Sequence, residues 1–303
     1  MIDLGRLATE RSRPELADLD TRSSAALVEL MIGEDADVVA AVRAANGPIA
    51  AAVDLIVDRV GRGGRMIYVG AGTAGRLAVL DAAELGPTYR AGPDSVLALL
   101  AGGPEAMTAA VEGAEDDRGA ARRDLAGLAP GPDDVVVGIS ASGRTPYALA
   151  ALRAARAAGA ATVGIANNPG TQLGALADVA IELLTGPEIV AGSTRMKAGT
   201  SQKLVLTTLS TAVMIRLGKV YRNLMVDVEV SNEKLHVRAV RIVSEATGAE
   251  PGQAAAALAA AEGRSKVAIV MLLAGVDAAP AGELLARSGG RIRAALHAGV
   301  GTS

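Results

Sequence analysis

Five short runs dominated by Val, Ile and Leu punctuate the middle of the chain: RMIYVG (65–70), SVLALLAGG (95–103), DVVVGIS (134–140), ATVGIAN (161–167) and DVAIELL (178–184). Helical stretches separate most of them, at 73–84, 104–127 and 145–158, and a long one follows at about 193–219. Strands that alternate with helices build a parallel sheet covered on both faces, so the expected fold class is α/β with helices flanking a parallel sheet. Such sheets bind ligands beyond the carboxyl ends of their strands. Before the first strand, Ser23 to Val60 reads as two helices with a break at Asn46-Gly47-Pro48. Residues 1–22 are polar, and Ser12 and Pro14 predict an arm or loop. After SNEKLHVRAVRIV the strand texture stops. Short helices are expected at 237–248, with a start as early as Asn232, and at 251–262, 264–273, 279–287 and 289–298. The expected division is an N-terminal arm with helices over 1–50, a ligand-binding α/β domain over 51–235 and a small C-terminal helical domain over 236–303.

Composition narrows the function. The 303 residues are half apolar, which suffices for one large core, and include no Cys, Phe or Trp. Disulfides, thiolate nucleophiles and cysteine-ligated metals are excluded. An aromatic share of 1% and a formal charge of −3, with no basic block, argue against a nucleic-acid surface. The first twenty residues have no apolar signal-peptide core, and no charge-free stretch has the length of a bilayer span. A soluble cytoplasmic protein, with neither nucleic acid nor membrane as partner, is the expectation. His236 and His297 lie in separate helical stretches and read as structural or surface residues rather than as ligands or bases.

Two loops carry the chemistry. Gly70, Gly72 and Gly75 satisfy G-x-G-x-x-G between the first strand and a helix, the arrangement of a dinucleotide site. Yet the acidic residue such a site requires at the tip of the second strand is absent, since Asp94 precedes that strand. A second turn, GISASGRT (138–145), supplies the hydroxyls of Ser140, Ser142 and Thr145, with Gly143 to let the backbone approach and Pro146 to open a helix. Hydroxyls and backbone N–H groups at a helix N-terminus suit a phosphate dianion. Two such loops after neighbouring strands, without a Walker lysine, point to a sugar phosphate rather than ATP.

The pairing of GAGTAGR with SASGRTPY resembles the sugar isomerase (SIS) domain. Longer stretches are similar to the N-acetylmuramic acid 6-phosphate etherase family: YVGAGTAGRLAVLDAAELGPTY, AAVEGAEDDRGAA, LTGPEIVAGSTRMKAGTSQKLVLTTLSTAVMIRLGKVYRNLMVDV and SNEKLHVRAVRIV. The resemblance covers nearly the whole chain. It implies cleavage of the lactyl ether of N-acetylmuramic acid 6-phosphate to N-acetylglucosamine 6-phosphate and D-lactate in cell-wall sugar recycling, by a homodimer with no metal or organic cofactor and a UBA-like C-terminal domain. It places the catalytic carboxylates at Glu84 in D-A-A-E and Glu115 in E-G-A-E-D-D. Phosphate and sugar contacts are expected from Gly72, Thr73, Ser140, Ser142, Gly143, Arg144, Thr145 and Glu188. Four positions depart from the family pattern: Ala74 where Ser is usual, Leu85-Gly86 where Cys-Pro is usual, and Thr207 where Asn is common.

Ether cleavage beside a sugar ring needs a route around direct displacement. With the ring open, the carbon 1 aldehyde acidifies the proton on carbon 2, a carboxylate removes it, lactate leaves carbon 3 as its oxygen is protonated, and water adds back. Such acid–base assistance contributes roughly 10²–10⁴-fold for each group. Glu84 is assigned as acid and Glu115 as base, with the reverse order equally compatible, and burial beside Leu85 and Tyr89 is expected to raise the acid's pKa. Ordinary readings stand beside these: a solvated helix end for Glu84, a hydrated acidic face for Glu115 with Glu112, Asp116 and Asp117. Glu84 lies 11 residues beyond Thr73, roughly 16 Å along an unbroken helix, too far for one hexose phosphate to touch both. Either the helix breaks or Glu84 serves the site of another subunit, the reading preferred here. In GPEIVAGSTRMKAGT (186–200), Glu188 is placed to touch the sugar and Ser193 or Thr194 to cap the long helix. Arg195 and Lys197 read equally as anion ligands or helix-surface pairs. The rivals are a phosphosugar sensor and a phosphosugar isomerase, which lactate release separates from the etherase, and, last, a nicotinamide enzyme, which absence of cofactor binding would close.

Overall fold

A computed structural model describes residues 7–228 and 232–300. The chain forms two compact units, one holding everything up to Ala82 together with Asp94–Ser210, the other Ala83–Pro93 together with the chain from Thr211 onward. These limits do not coincide with boundaries at residues 50 and 235, because the N-terminal helices pack in the same unit as the sheet.

In the first unit, the described part of the arm (its first six residues lie outside the described set) is three 3₁₀ turns, Ala8–Glu10, Pro14–Leu16 and Leu19–Thr21. Ser23 then caps α1 (Ser24–Ala44) by accepting the Ala26 N–H, as N-cap serines do. The break to α2 (Asn46–Val60) falls at Ala45, one residue before the expected place. Pro48 fits the first turn of α2, where an N–H has no intrahelical acceptor.

β1 (Met66–Gly70), α3 (Gly72–Tyr89), β2 (Val96–Leu100), α4 (Arg118–Gly127), β3 (Val135–Ser140), α5 (Pro146–Ala157), β4 (Ala161–Ala166), α6 (Gln172–Leu176), β5 (Val179–Glu182) and α7 (Lys197–Arg216) follow. The helix expected over 104–127 is a correction. Only its last ten residues, α4, are α-helical, and before them come 3₁₀ turns at Pro104–Met107 and Ala114–Asp116. Gly113 sits at φ +72°, which an α-helix does not permit, and Asp117 starts a new helix by accepting the Ala120 N–H.

Among the described residues the sheet has five strands in the order β2-β1-β3-β4-β5, all parallel. β1, β3 and β4 are buried along their whole length while the edge strands β2 and β5 are only partly buried, which is why the runs are apolar throughout instead of alternating. Ile67, Val69 and Val136 pack with Tyr147, Leu149, Leu152, Leu125 and Leu173.

Two polar ties set the helices and strands in register. The fully buried Tyr68 on β1 donates to Asp81 Oδ2 at 2.9 Å, and Ser210 on α7 donates to Asp81 Oδ1 at 3.1 Å, so one carboxylate of α3 joins three elements. Burial raises that carboxyl's pKa. At the opposite strand ends, Asp134 accepts from the Arg65 backbone N–H (2.8 Å), the Arg65 guanidinium (2.7 and 3.1 Å) and the Gly131 N–H (2.9 Å), joining β1 to β3.

In the second unit, β6 (Val220–Tyr221) and β7 (Leu224–Met225) form a two-stranded hairpin, and α8 (Glu233–Thr247), α9 (Pro251–Ala260), α10 (Ser265–Ala274), α11 (Ala278–Arg287) and α12 (Ile292–Val300) follow. Ile242, Val243, Leu258, Ile269, Val270 and Leu285 form its core. The helices lie where expected, and Asn232 caps α8. No single helix among the described residues is long and apolar enough to cross a membrane.

Asp134 makes a pH prediction. Burial alone would raise its carboxyl, but Arg65 and two backbone N–H groups outweigh that and hold it below its ordinary 3.8. The pair therefore adds stability above about pH 4 and loses it as pH falls through the lower folded value. Asp134→Asn is expected to lower unfolding stability at pH 7 by roughly 1–3 kcal/mol, with the gap to wild type closing as urea titrations are carried progressively below pH 3.8.

Candidate functional site

β1 has β2 on one side and β3 on the other, with Gly70 level with both Leu100 and Ile139. The chain after β1 turns one way from the sheet and the chain after β3 the other, so a crevice opens between them. A cleft of about 390 Å³ lies there, lined by Ala71, Gly72, Thr73 and Ala74 after β1 and by Ser140, Ala141, Ser142, Arg144, Thr145 and Pro146 after β3. Glu115, Asp116, Leu7, Glu10, Gly192, Thr194 and Gln202 complete the wall.

The second loop is a hydroxyl cluster. Ser140 Oγ lies 2.7 Å from Thr145 Oγ1 and 3.3 Å from Ser142 Oγ; Ser142 Oγ accepts the Arg144 N–H at 3.2 Å and Ser140 Oγ the Thr145 N–H at 3.4 Å. Thr145 is the N-cap of α5 but makes no side-chain cap, so the positive end of α5 faces the loop uncompensated. Gly143 acts through its backbone. It stands at φ +64°, and a Cβ there would come within 2.3 Å of Thr171 Cβ. Its N–H goes to the Ser140 carbonyl and its carbonyl receives the Leu173 N–H; it is not among the residues lining the cleft.

The first loop carries α3 close to the sheet: a Cβ on Gly75 would come within 2.7 Å of the Gly70 carbonyl oxygen. Arg76, the last residue of GAGTAGR, donates to the carbonyls of Ala106 (2.8 Å), Met107 (3.2 Å) and Ala109 (3.1 Å). It thereby fixes the irregular segment that delivers Glu115 and Asp116 to the cleft. The acidic run 112–117 divides by role: Asp117 caps α4, Glu115 and Asp116 line the cleft, and Glu112 faces solvent. Ala74, where the family pattern has Ser, is on the cleft wall, so the missing hydroxyl is missing from the site itself.

The expectations for Glu188 and Thr194 are corrected, and Lys197 takes one of its two readings. Glu188 is 1% exposed and is absent from the cleft wall; its oxygens accept the Lys197 and Ala198 N–H groups at 3.0 and 2.9 Å, which makes it the cap of α7. Burial pushes its carboxyl above the ordinary carboxylate range against the pull of those N–H groups. Thr194, read as a cap, instead lines the cleft. Lys197 is buried and its ammonium binds Glu34 at 2.6 Å and Asp37 at 3.4 Å, so it is an ion-paired core residue and not an anion ligand. Glu84 does not line this cleft, and its carboxylate is exposed although Leu85 and Tyr89 beside it are buried. α3 is continuous from Gly72 to Tyr89, so the helix does not break before Glu84.

Residues that sequence reasoning missed come from far along the chain. Gln202 on α7 donates to Asn167 Oδ1 at 2.9 Å, and Asn167 donates to Ser201 Oγ and the Leu183 carbonyl, a buried amide network behind the cleft. Asn168 accepts the Ala8 N–H and donates to Thr9 Oγ1 and the Ala141 carbonyl, which joins the N-terminal arm to the second loop.

The description "Glucokinase regulatory protein N-terminal SIS domain" matches residues 48–156, "SIS domain" residues 120–212, and "C-terminal lid domain of glucokinase regulatory protein" residues 222–266. A solved phosphoheptose isomerase from Francisella tularensis has the same fold, with a TM-score of 0.50 at 17% identity, over 63% of this chain and 98% of that one. The N-acetylmuramic acid 6-phosphate etherase of Streptomyces avermitilis is 56% identical over 98% of this chain and 95% of its own length. That of Escherichia coli O127:H6 is 50% identical over 97% and 99%. With identity of this extent over nearly its full length, the chain belongs to the N-acetylmuramic acid 6-phosphate etherase family.

Proposed function

We propose that this chain cleaves the lactyl ether of N-acetylmuramic acid 6-phosphate, releasing D-lactate and leaving N-acetylglucosamine 6-phosphate, as a step of cell-wall amino sugar recycling in the cytoplasm. The observation that carries the reading is the cleft itself: a hydroxyl cluster and two helix N-termini in one cleft with a carboxylate, Glu115.

The phosphate is held by neutral donors. Among the described residues the lining has one cation, Arg144, against Glu10, Glu115 and Asp116, so charge pairing among them cannot supply most of the affinity. Hydroxyls of Ser140, Ser142 and Thr145 and the first-turn N–H groups of α3 and α5 supply it instead, each helix end adding roughly 0.3–1 kcal/mol. Glu188 and Gly143 shape this arrangement without touching the ligand. In the open-chain sugar, Glu115 takes the carbon 2 proton, the carbon–oxygen bond at carbon 3 breaks with its electron pair going to the lactyl oxygen, and a second glutamate donates the proton that oxygen needs. Water then adds across carbons 2 and 3, its oxygen to carbon 3 and its proton to carbon 2.

The second glutamate is Glu84 of a partner subunit. The continuous α3 sets Glu84 about 16 Å along its axis from the phosphate-binding end, beyond the span of one hexose phosphate. α1 offers a surface for the partner: Val28, Ile32 and Val39 recur on one face and are 56, 68 and 52% exposed, with the exposed Asp35 between Ile32 and Val39 on that face. A homodimer in which each subunit completes the other's site follows. The matches to glucokinase regulatory protein domains support a second reading, a sensor that binds the sugar phosphate without turning it over.

Incubation of the wild-type protein with N-acetylmuramic acid 6-phosphate is expected to release D-lactate, whereas a sensor or an isomerase releases none. Glu84→Gln and Glu115→Gln are each expected to lower kcat by roughly 10²–10⁴-fold while N-acetylglucosamine 6-phosphate still binds. Mixing the two inactive variants after subunit exchange is expected to restore activity, because one site of each heterodimer then has both glutamates. No restoration means that both act from one chain.

A further inference from the structure

The N-terminal arm adds a carboxylate to the cleft that neither phosphate binding nor the elimination uses. Residues 8–10 form a 3₁₀ turn, and three bonds hold it in place: the Ala8 N–H donates to Asn168 Oδ1 at 2.7 Å, Asn168 Nδ2 donates to Thr9 Oγ1 at 3.1 Å, and the Gly192 N–H donates to the Thr9 carbonyl at 3.1 Å. Leu7, Thr9 and Asn168 are all buried, at 4, 0 and 2% exposure. The same Asn168 amide donates to the Ala141 carbonyl in the hydroxyl loop at 3.0 Å, so arm and loop are held by one side chain. Arg13 anchors the next turn of the arm through Glu34 on α1 at 2.7 Å.

The residue this anchoring presents is Glu10, half-buried and lining the cleft. Its carboxylate lies against the backbone of Gly192, which stands at φ +75°, and a Cβ on Gly192 would come within 2.8 Å of Glu10 Oε2. Among the described residues no lysine or arginine pairs with Glu10. A carboxylate fixed beside a phosphate site repels the phosphate, so the advantage must come from another part of the ligand. The hydroxyls of a sugar are donors, and a carboxylate offers four acceptor sites.

We infer that Glu10 is a specificity-determining residue that accepts hydrogen bonds from the sugar's hydroxyls, so that the cleft selects a polyhydroxylated phosphate over phosphate alone. The inference rests on the reading of the cleft as the sugar phosphate site. Hydrogen bonds to a charged acceptor change affinity by roughly 10- to 100-fold, and the effect falls on one ligand only.

The test is calorimetric titration of wild type, Glu10→Ala and Glu10→Gln with N-acetylglucosamine 6-phosphate and, separately, with inorganic phosphate. Thermal unfolding of each variant is measured in parallel. Glu10→Ala is expected to weaken the sugar phosphate by roughly 10- to 100-fold with phosphate unchanged or tighter, and Glu10→Gln, which keeps one acceptor oxygen, to weaken it less. Equal loss of both ligands makes Glu10 a structural part of the arm and overturns the inference, as does no change in either. Wild type that binds neither ligand overturns the cleft reading and this inference with it.

Discussion

Everything at the site depends on the divergence of the chain at the carboxyl ends of β1 and β3. These strands lie side by side in the order β2-β1-β3-β4-β5, and the helices that follow them leave in different directions, which opens a crevice that no side chain needs to carve. The N-termini of α3 and α5 both reach it. Their dipoles and unsatisfied N–H groups favour an anion before any side chain contributes. This explains how a cleft with three carboxylates and one arginine among its described lining residues can still favour a phosphate. It also explains why neither loop requires the lysine that a nucleoside triphosphate site places near the outer phosphates.

The layers around the crevice are held by buried polar ties rather than by packing alone. Asp81 joins β1, α3 and α7 through Tyr68 and Ser210. Glu188 and Lys197 secure the start of α7, one by capping it and the other by pairing with Glu34. Each group is costly to bury unpaired, so each specifies one arrangement of the helices. Gln202, near the start of α7, depends on that arrangement to reach the cleft.

What the sequence made legible was local. The five strands follow from apolar runs, and the two loops follow from glycines and hydroxyls adjacent to strand ends. The capping of α1 by Ser23 and of α8 by Asn232 also obeys short-range rules. The expected helix over 104–127 failed at two stops that the sequence shows, Gly113 and Asp117. The remainder was out of reach for a physical reason. Glu188 caps a helix nine residues further on, outside any local capping pattern, and Lys197 finds its partner on α1. Nothing near Glu10 signals that a distant asparagine carries it to the cleft. Hydroxyl and carboxylate roles in 188–194 were read in reverse, since a serine or threonine before a helix is ordinarily the cap and here a glutamate is.

A crystal structure of the protein with N-acetylglucosamine 6-phosphate bound is the most direct measurement of this arrangement. The phosphoryl oxygens are predicted to lie roughly 3 Å from the hydroxyls of Ser140, Ser142 or Thr145 and from the first N–H groups of α3 and α5. Carbons 2 and 3 of the sugar are predicted to face Glu115 of the same chain and Glu84 of its partner. A phosphate bound away from both helix ends, or a sugar approached by neither glutamate, would contradict it.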